Sequence, residues 1–121
     1  MITEFGKFIR KLRIEKDEIL KNMSDKLGVS PAYLSAVENG KRKIPSNWEV
    51  KLIQIYNLSV EEAENLKIAI VKTNDMIEFP INNISSEKEE FLIAFARKFN
   101  NMSDEEFTEL RKIIEHTNNK E

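Results

Sequence analysis

Lys41, Arg42 and Lys43 stand in a row directly after Asn39-Gly40 and just before Pro45. Three adjacent cations form neither a nucleophile nor a proton relay; their chemistry is to hold anions, a polyanion above all. Immediately upstream, Pro31, Ala32, Tyr33, Ser35 and Ala36 carry no charge at all. Small uncharged side chains with one aromatic can enter a groove lined by base edges without stranding a charge there. The order of these residues predicts a division of labour. The uncharged set reads bases, and the cations that follow grip the phosphates on either side.

Other chemistries find little to work with. The sequence has one histidine, His116, and no cysteine, which leaves no ligand set for a metal, and no glycine-rich phosphate loop or nucleophile motif is present. The acidic clusters Glu87-Lys88-Glu89-Glu90 and Asp104-Glu105-Glu106 fall where helices begin, so they complement a helix dipole and are not read as acid–base pairs. The expectation is a chain that is not an enzyme and carries neither cofactor nor metal.

Composition sets the frame. The 121 residues are 40% hydrophobic and 33% charged, a folded rather than disordered balance, with 3 glycines and 3 prolines. The net charge of −2 conceals an uneven distribution. Residues 1–58 carry 11 Lys/Arg against 7 Asp/Glu, a formal +4, while residues 59–121 carry 8 against 14, a formal −6. One half suits an anionic partner and the other is repelled by it. The absence of cysteine, of a signal-like start and of any long apolar run predicts a cytoplasmic protein with no membrane partner.

The elements that must position these residues are helical. Phe5, Phe8, Ile9 and Leu12 mark an amphipathic helix over about 4–15, capped by Thr3, with Lys7 and Arg10 read as solvated. Leu20, Met23 and Leu27 mark a second helix, closed by Gly28, with Ser24 facing inward. Ser30-Pro31 opens a third, held inward by Leu34 and Val37. Trp48, Leu52, Ile55 and Tyr56 trace a fourth, and Ser59 with Glu62 opens a fifth with Ala63, Leu66 and Ile70 inward. These five helices make a first domain over 1–73. Ile77, Phe79 and Ile81 then alternate with polar residues and Pro80, which predicts an extended arm or edge strand. Ser86-x-x-Glu89 and Ser103-x-x-Glu106 open two more helices, and a frayed tail ends the second region, 76–121.

Two helices joined by a tight glycine turn, the second apolar only on its inner edge, make a helix-turn-helix. Here the sequence resembles the Cro/cI-type (XRE) family of bacterial and phage transcriptional regulators. The resemblance rests on "RKLRIEK", "MSDKLGVS" and "AYLSAVENGKRKIP" and covers about residues 3–58. It implies an all-α, five-helix lambda-repressor-like domain that binds double-stranded DNA. The family's base-reading positions fall on Pro31, Ala32, Tyr33, Ser35 and Ala36, and its phosphate contacts on Ser30, Asn39, Lys41, Arg42 and Lys43. Its helix 1 arginine falls on Arg13, which implies a structural ion pair with Glu38. Two positions depart from the pattern. Ile19 and Leu20 replace the usual Thr/Ser-Gln, removing one phosphate contact, and Ser24 replaces an alanine. Alanines where amides are common leave thymine methyls and Tyr33 for base readout.

Reading an operator normally takes two half-sites, so a dimerising element is expected. Ile77, Phe79 and Ile81 with Phe91, Phe95, Phe99, Phe107, Leu110 and Ile113 are the candidates, read as a packing surface between copies. The resulting expectation is a homodimeric repressor of a palindromic operator on a phage or mobile element. The alternative is an antitoxin or inhibiting adaptor whose acidic C-terminal half binds a partner protein.

Overall fold

Among the described residues the chain forms seven helices: α1 (Glu4–Glu15), α2 (Leu20–Leu27), α3 (Pro31–Glu38), α4 (Trp48–Tyr56), α5 (Val60–Asn74), α6 (Ser86–Phe99) and α7 (Asp104–Asn119). They belong to a computed structural model that describes residues 1–119, with side chains as far as His116. Among the described residues there is no strand. The chain divides into two units, Met1–Glu78 and a second from Phe79 onward.

In the first unit, side chains start and stop the helices where the sequence places the signals. Thr3 Oγ1 accepts the Gly6 N–H at 3.0 Å, and Ser30 Oγ accepts that of Tyr33 at 3.1 Å with Pro31 in the first turn. Ser59 and Glu62 exchange bonds of 3.1 and 3.0 Å in a full capping box, and the Ser59 contacts hold the Glu62 carboxyl below its ordinary pKa. The start of α2 is weaker. Asn22 Oδ1 accepts the Ile19 N–H at 2.8 Å, but isoleucine offers no acceptor in return. Gly28 ends α2 at φ +74°, a left-handed conformation that costs most residues 1–2 kcal/mol or about that.

The helices close around one core. Phe5, Ile9 and Leu12 of α1, Met23 and Leu27 of α2, and Leu34 and Val37 of α3 meet Trp48, Leu52 and Tyr56 of α4 and Leu66 of α5. Each such side chain contributes about 1.5–3 kcal/mol by leaving water. Ser24 is buried as expected, its hydroxyl donating to the Lys21 carbonyl at 2.9 Å. Ile55, by contrast, sits outside the core, since Tyr56 takes the inward position one residue on.

The second unit has a different character. The stretch 76–84 forms neither a strand nor a ladder; it is an irregular connection ending in a turn at Ile81–Ile84. This corrects the extended arm or edge strand expected from the alternation of Ile77, Phe79 and Ile81. Alternation sets side-chain faces, but a strand also needs a neighbour to take its backbone bonds, and Pro80 has no N–H to give. Ser85, not Ser86, caps α6: its Oγ accepts the Lys88 N–H at 3.2 Å. Ser103 and Glu106 form the expected box at the start of α7, with bonds of 3.2 and 3.1 Å. α7 continues through His116 to Asn119, where a frayed tail was expected; Lys120 and Glu121 lie outside the described residues.

No residue of α6 is buried. Phe91, Phe95 and Phe99 follow one another along it, the first pair stacked with ring centroids 6.2 Å apart and the second tilted at 5.6 Å. Between α6 and α7 lies a cleft of about 410 Å³ whose walls include Phe91, Ala94, Phe95, Met102 and Leu110.

Candidate nucleic-acid interface

The end of α3 is fixed by an ion pair at its last residue. Glu38 is only 1% exposed, and its carboxylate receives Arg13 Nη1 at 2.7 Å and Nη2 at 3.3 Å. Arg13 is itself buried and also reaches Met23 Sδ at 3.3 Å. Geometry this close to bidentate, with both partners out of water, satisfies charges that would otherwise be expensive to bury. Arg10 adds a second cation, its Nε 2.9 Å from Glu38 Oε1. The reading of Arg10 as a solvated residue is therefore corrected. It stands three residues before Arg13 on the same helix face, and that spacing was the available signal.

The Glu38 backbone is clamped as well. Its carbonyl accepts both the Thr3 N–H at 2.9 Å and Thr3 Oγ1–H at 3.0 Å. Gly6 makes the approach possible: a Cβ there would lie 2.3 Å from the Glu38 carbonyl oxygen and 2.8 Å from Ile2 Cγ1. The start of α1 thus holds α3 through side chain and main chain together. Phe5 N–H, donating to Thr73 Oγ1 at 2.9 Å, ties the same end of α1 to α5.

A second polar cluster fixes α2 and α4. Tyr56 Oη donates to Glu18 Oε1 at 2.7 Å, while Lys26 pairs with the other carboxylate oxygen and lies over the Tyr56 ring. Burial by itself would raise the Glu18 pKa. The hydrogen bonds from Lys26 and Tyr56 outweigh it and hold the carboxyl below its ordinary value. Burial, then the bond to Glu18, raises the Tyr56 pKa. Nothing in the sequence pattern marked these three residues as a group.

On this frame α3 leaves Pro31 and Ala32 exposed, with Tyr33, Ser35 and Ala36 half-buried. Asn39 turns back to donate from Nδ2 to the Ser35 carbonyl at 2.9 Å. The basic turn is tied to the same helix end, since Lys41 N–H donates to the Ala36 carbonyl at 2.9 Å. Lys41, Arg42 and Lys43 are exposed, and among the described residues none has a carboxylate partner within 4 Å. Tyr33 lies between two neighbours the sequence did not foretell. Its ring meets Trp48 edge-on at 6.1 Å, and the Arg42 guanidinium lies 5.7 Å from its centroid. The residues read as base-facing and phosphate-facing therefore sit on one element and the turn that leaves it.

Compared with known families, residues 9–62 match the helix-turn-helix family. They are a Cro/cI-type (XRE) helix-turn-helix domain. The domain is that of a DNA-binding transcriptional regulator, and the family is one of regulators rather than enzymes. The match runs from Ile9 to Glu62, so it takes in the later part of α1 with Arg10 and Arg13, the turn at Gly28, α3 and the basic turn. No curated protein and no solved structure matches the chain significantly. Among the described residues no helix is long and apolar enough to cross a membrane.

Proposed function

We propose that the protein is a homodimeric, cytoplasmic repressor that binds a palindromic operator. One observation carries the reading: the uncharged outer face of α3, exposed at Pro31 and Ala32, runs directly into three exposed cations that have no carboxylate partner among the described residues. Pro31, Ala32, Tyr33, Ser35 and Ala36 enter the major groove, and their small apolar groups favour thymine methyls. Lys41, Arg42 and Lys43 engage flanking phosphates together with Ser30 at the start of α3 and Asn39 at its end. The rigid ring at Tyr33, seated on Trp48, is the residue with most to say about sequence.

The dimer is supported by the second unit, where Phe91, Phe99 and Phe107 are exposed and no residue of α6 is buried. Occupying both half-sites of an operator places the two α3 helices about 34 Å apart on one side of the duplex. A place on a phage or mobile element rests on the resemblance of residues 3–58.

Selection of bound sequences from random DNA by the intact protein tests the proposal. Enrichment of an inverted repeat, lost in part when Tyr33 becomes alanine, is the expected result. Enrichment of single half-sites only would remove the dimer from the reading, and no enrichment would remove sequence-specific binding.

A further inference from the structure

A two-helix unit of this size, with nothing buried in α6, cannot stabilise itself by its own core. Among the described residues eight large apolar side chains from Phe79 onward are exposed, including Phe91 and Phe99 on α6 and Phe107 on α7. At roughly 100 Å² apiece they offer about the 800 Å² per partner that a standard protein interface buries. What covers them is indicated by charge. α6 is acidic at its beginning, with Glu87, Glu89 and Glu90, and basic at its end, with Arg97 and Lys98. Lys98 is engaged within the chain by Glu106 at 2.8 Å. Among the described residues Glu87, Glu90 and Arg97 have no ion-pair partner.

We infer that α6 packs antiparallel against α6 of a second copy, about a two-fold axis near Ala94, with Glu90 opposite the partner's Arg97. The inference rests on reading residues 76–121 as the dimerising region and specifies how they pair. Glu90 and Arg97 are seven residues apart, two helical turns, so they lie on one edge of the stripe formed by Phe91, Ala94 and Phe95. A two-fold axis across antiparallel helices sets each edge against the same edge of the partner. Acidic start then meets basic end twice, and the helix dipoles oppose. A parallel pair would set glutamates against glutamates and cations against cations. Ala94 at the crossing lets the helices approach, and each Phe91 lies beside the partner's Phe95, filling the cleft between α6 and α7.

Sedimentation equilibrium of the full chain without DNA tests the arrangement. The wild type should dimerise; Glu90→Arg and Arg97→Glu should each weaken the dimer about tenfold, because two symmetric contacts turn repulsive. The double variant should recover most of the lost affinity. Both positions are exposed, and Trp48 emission, which reports the first unit, should be unchanged throughout. Phe91→Asp, at a position 63% exposed in the single chain, should give a monomer whose first unit stays folded. A double variant as weak as the single ones overturns the antiparallel register. A wild type that stays monomeric overturns self-pairing and leaves the face for a helix of another protein. Half-site binding measured on the same samples separates these outcomes from failure of DNA recognition, because a monomer that still binds a half-site keeps that reading intact.

Discussion

Glu38 closes α3 with its carboxylate 2.7 Å from Arg13 Nη1, and that contact joins α3 to α1 inside the core. Replacing Glu38 with alanine strands a buried guanidinium, so a loss of about 3 kcal/mol is expected. Arg13→Ala leaves Glu38 with Arg10 alone and should cost less, because Arg10 remains at 2.9 Å. Urea denaturation of both single variants and the double variant gives the coupling, expected at about 1–3 kcal/mol. Additive losses would show that the contact does not hold α3.

Gly6→Ala tests the backbone clamp. The added methyl would sit 2.3 Å from the Glu38 carbonyl oxygen, too close for either backbone to remain in place. A destabilisation of about 1–3 kcal/mol is expected, in spite of alanine's better helix propensity. DNA affinity should fall by more than the unfolded fraction explains, since the end of α3 is what moves. A gain in thermal stability would mean that the approach of α1 to α3 is looser than described.

Arg42→Ala should weaken binding to every DNA sequence by a similar factor. Removing one phosphate contact lowers the slope of log affinity against log salt by about one. The same change frees the Tyr33 ring of its cation neighbour, so some loss of sequence preference should accompany it. Binding titrations at several salt concentrations check both effects, and an unchanged slope would place the basic turn away from the phosphates.

Glu18 gives the protein an acid-sensitive contact. Its folded pKa lies below the ordinary 4.5, so the stability it contributes is fully present above that value and fades as pH falls through the lower, folded one. Glu18→Gln should therefore be less stable than the wild type at pH 7. The gap should narrow steadily below pH 4.5, where the wild-type carboxyl takes up its proton. Denaturation midpoints of both proteins from pH 7 to pH 3 measure it; a gap independent of pH would assign the loss to packing alone.

Thr3, Ser30, Ser59 and Ser103 each cap a helix through a partner three residues away, and Gly28 ends one with its own conformation. Interactions of that range are written in the chain itself, which is why the seven helices, the inward stripes and the helix-turn-helix were legible without coordinates. The Arg13–Glu38 pair was legible by resemblance to a family. Contacts between distant positions were not: Arg10 reaches Glu38 across 28 residues, Tyr56 reaches Glu18 across 38, and Phe5 reaches Thr73 across 68. Arg10 in isolation has the pattern of a solvated residue, and only the packing of α1 on α3 brings a buried carboxylate within its reach. Ile77, Phe79 and Ile81 mark the opposite failure. Their alternation is local and was read correctly as a pattern, but a strand exists only through bonds to a neighbour, and among the described residues there is none. Side-chain periodicity is a property of sequence, whereas backbone pairing, close approach and the burial of charge depend on which distant segments share a core.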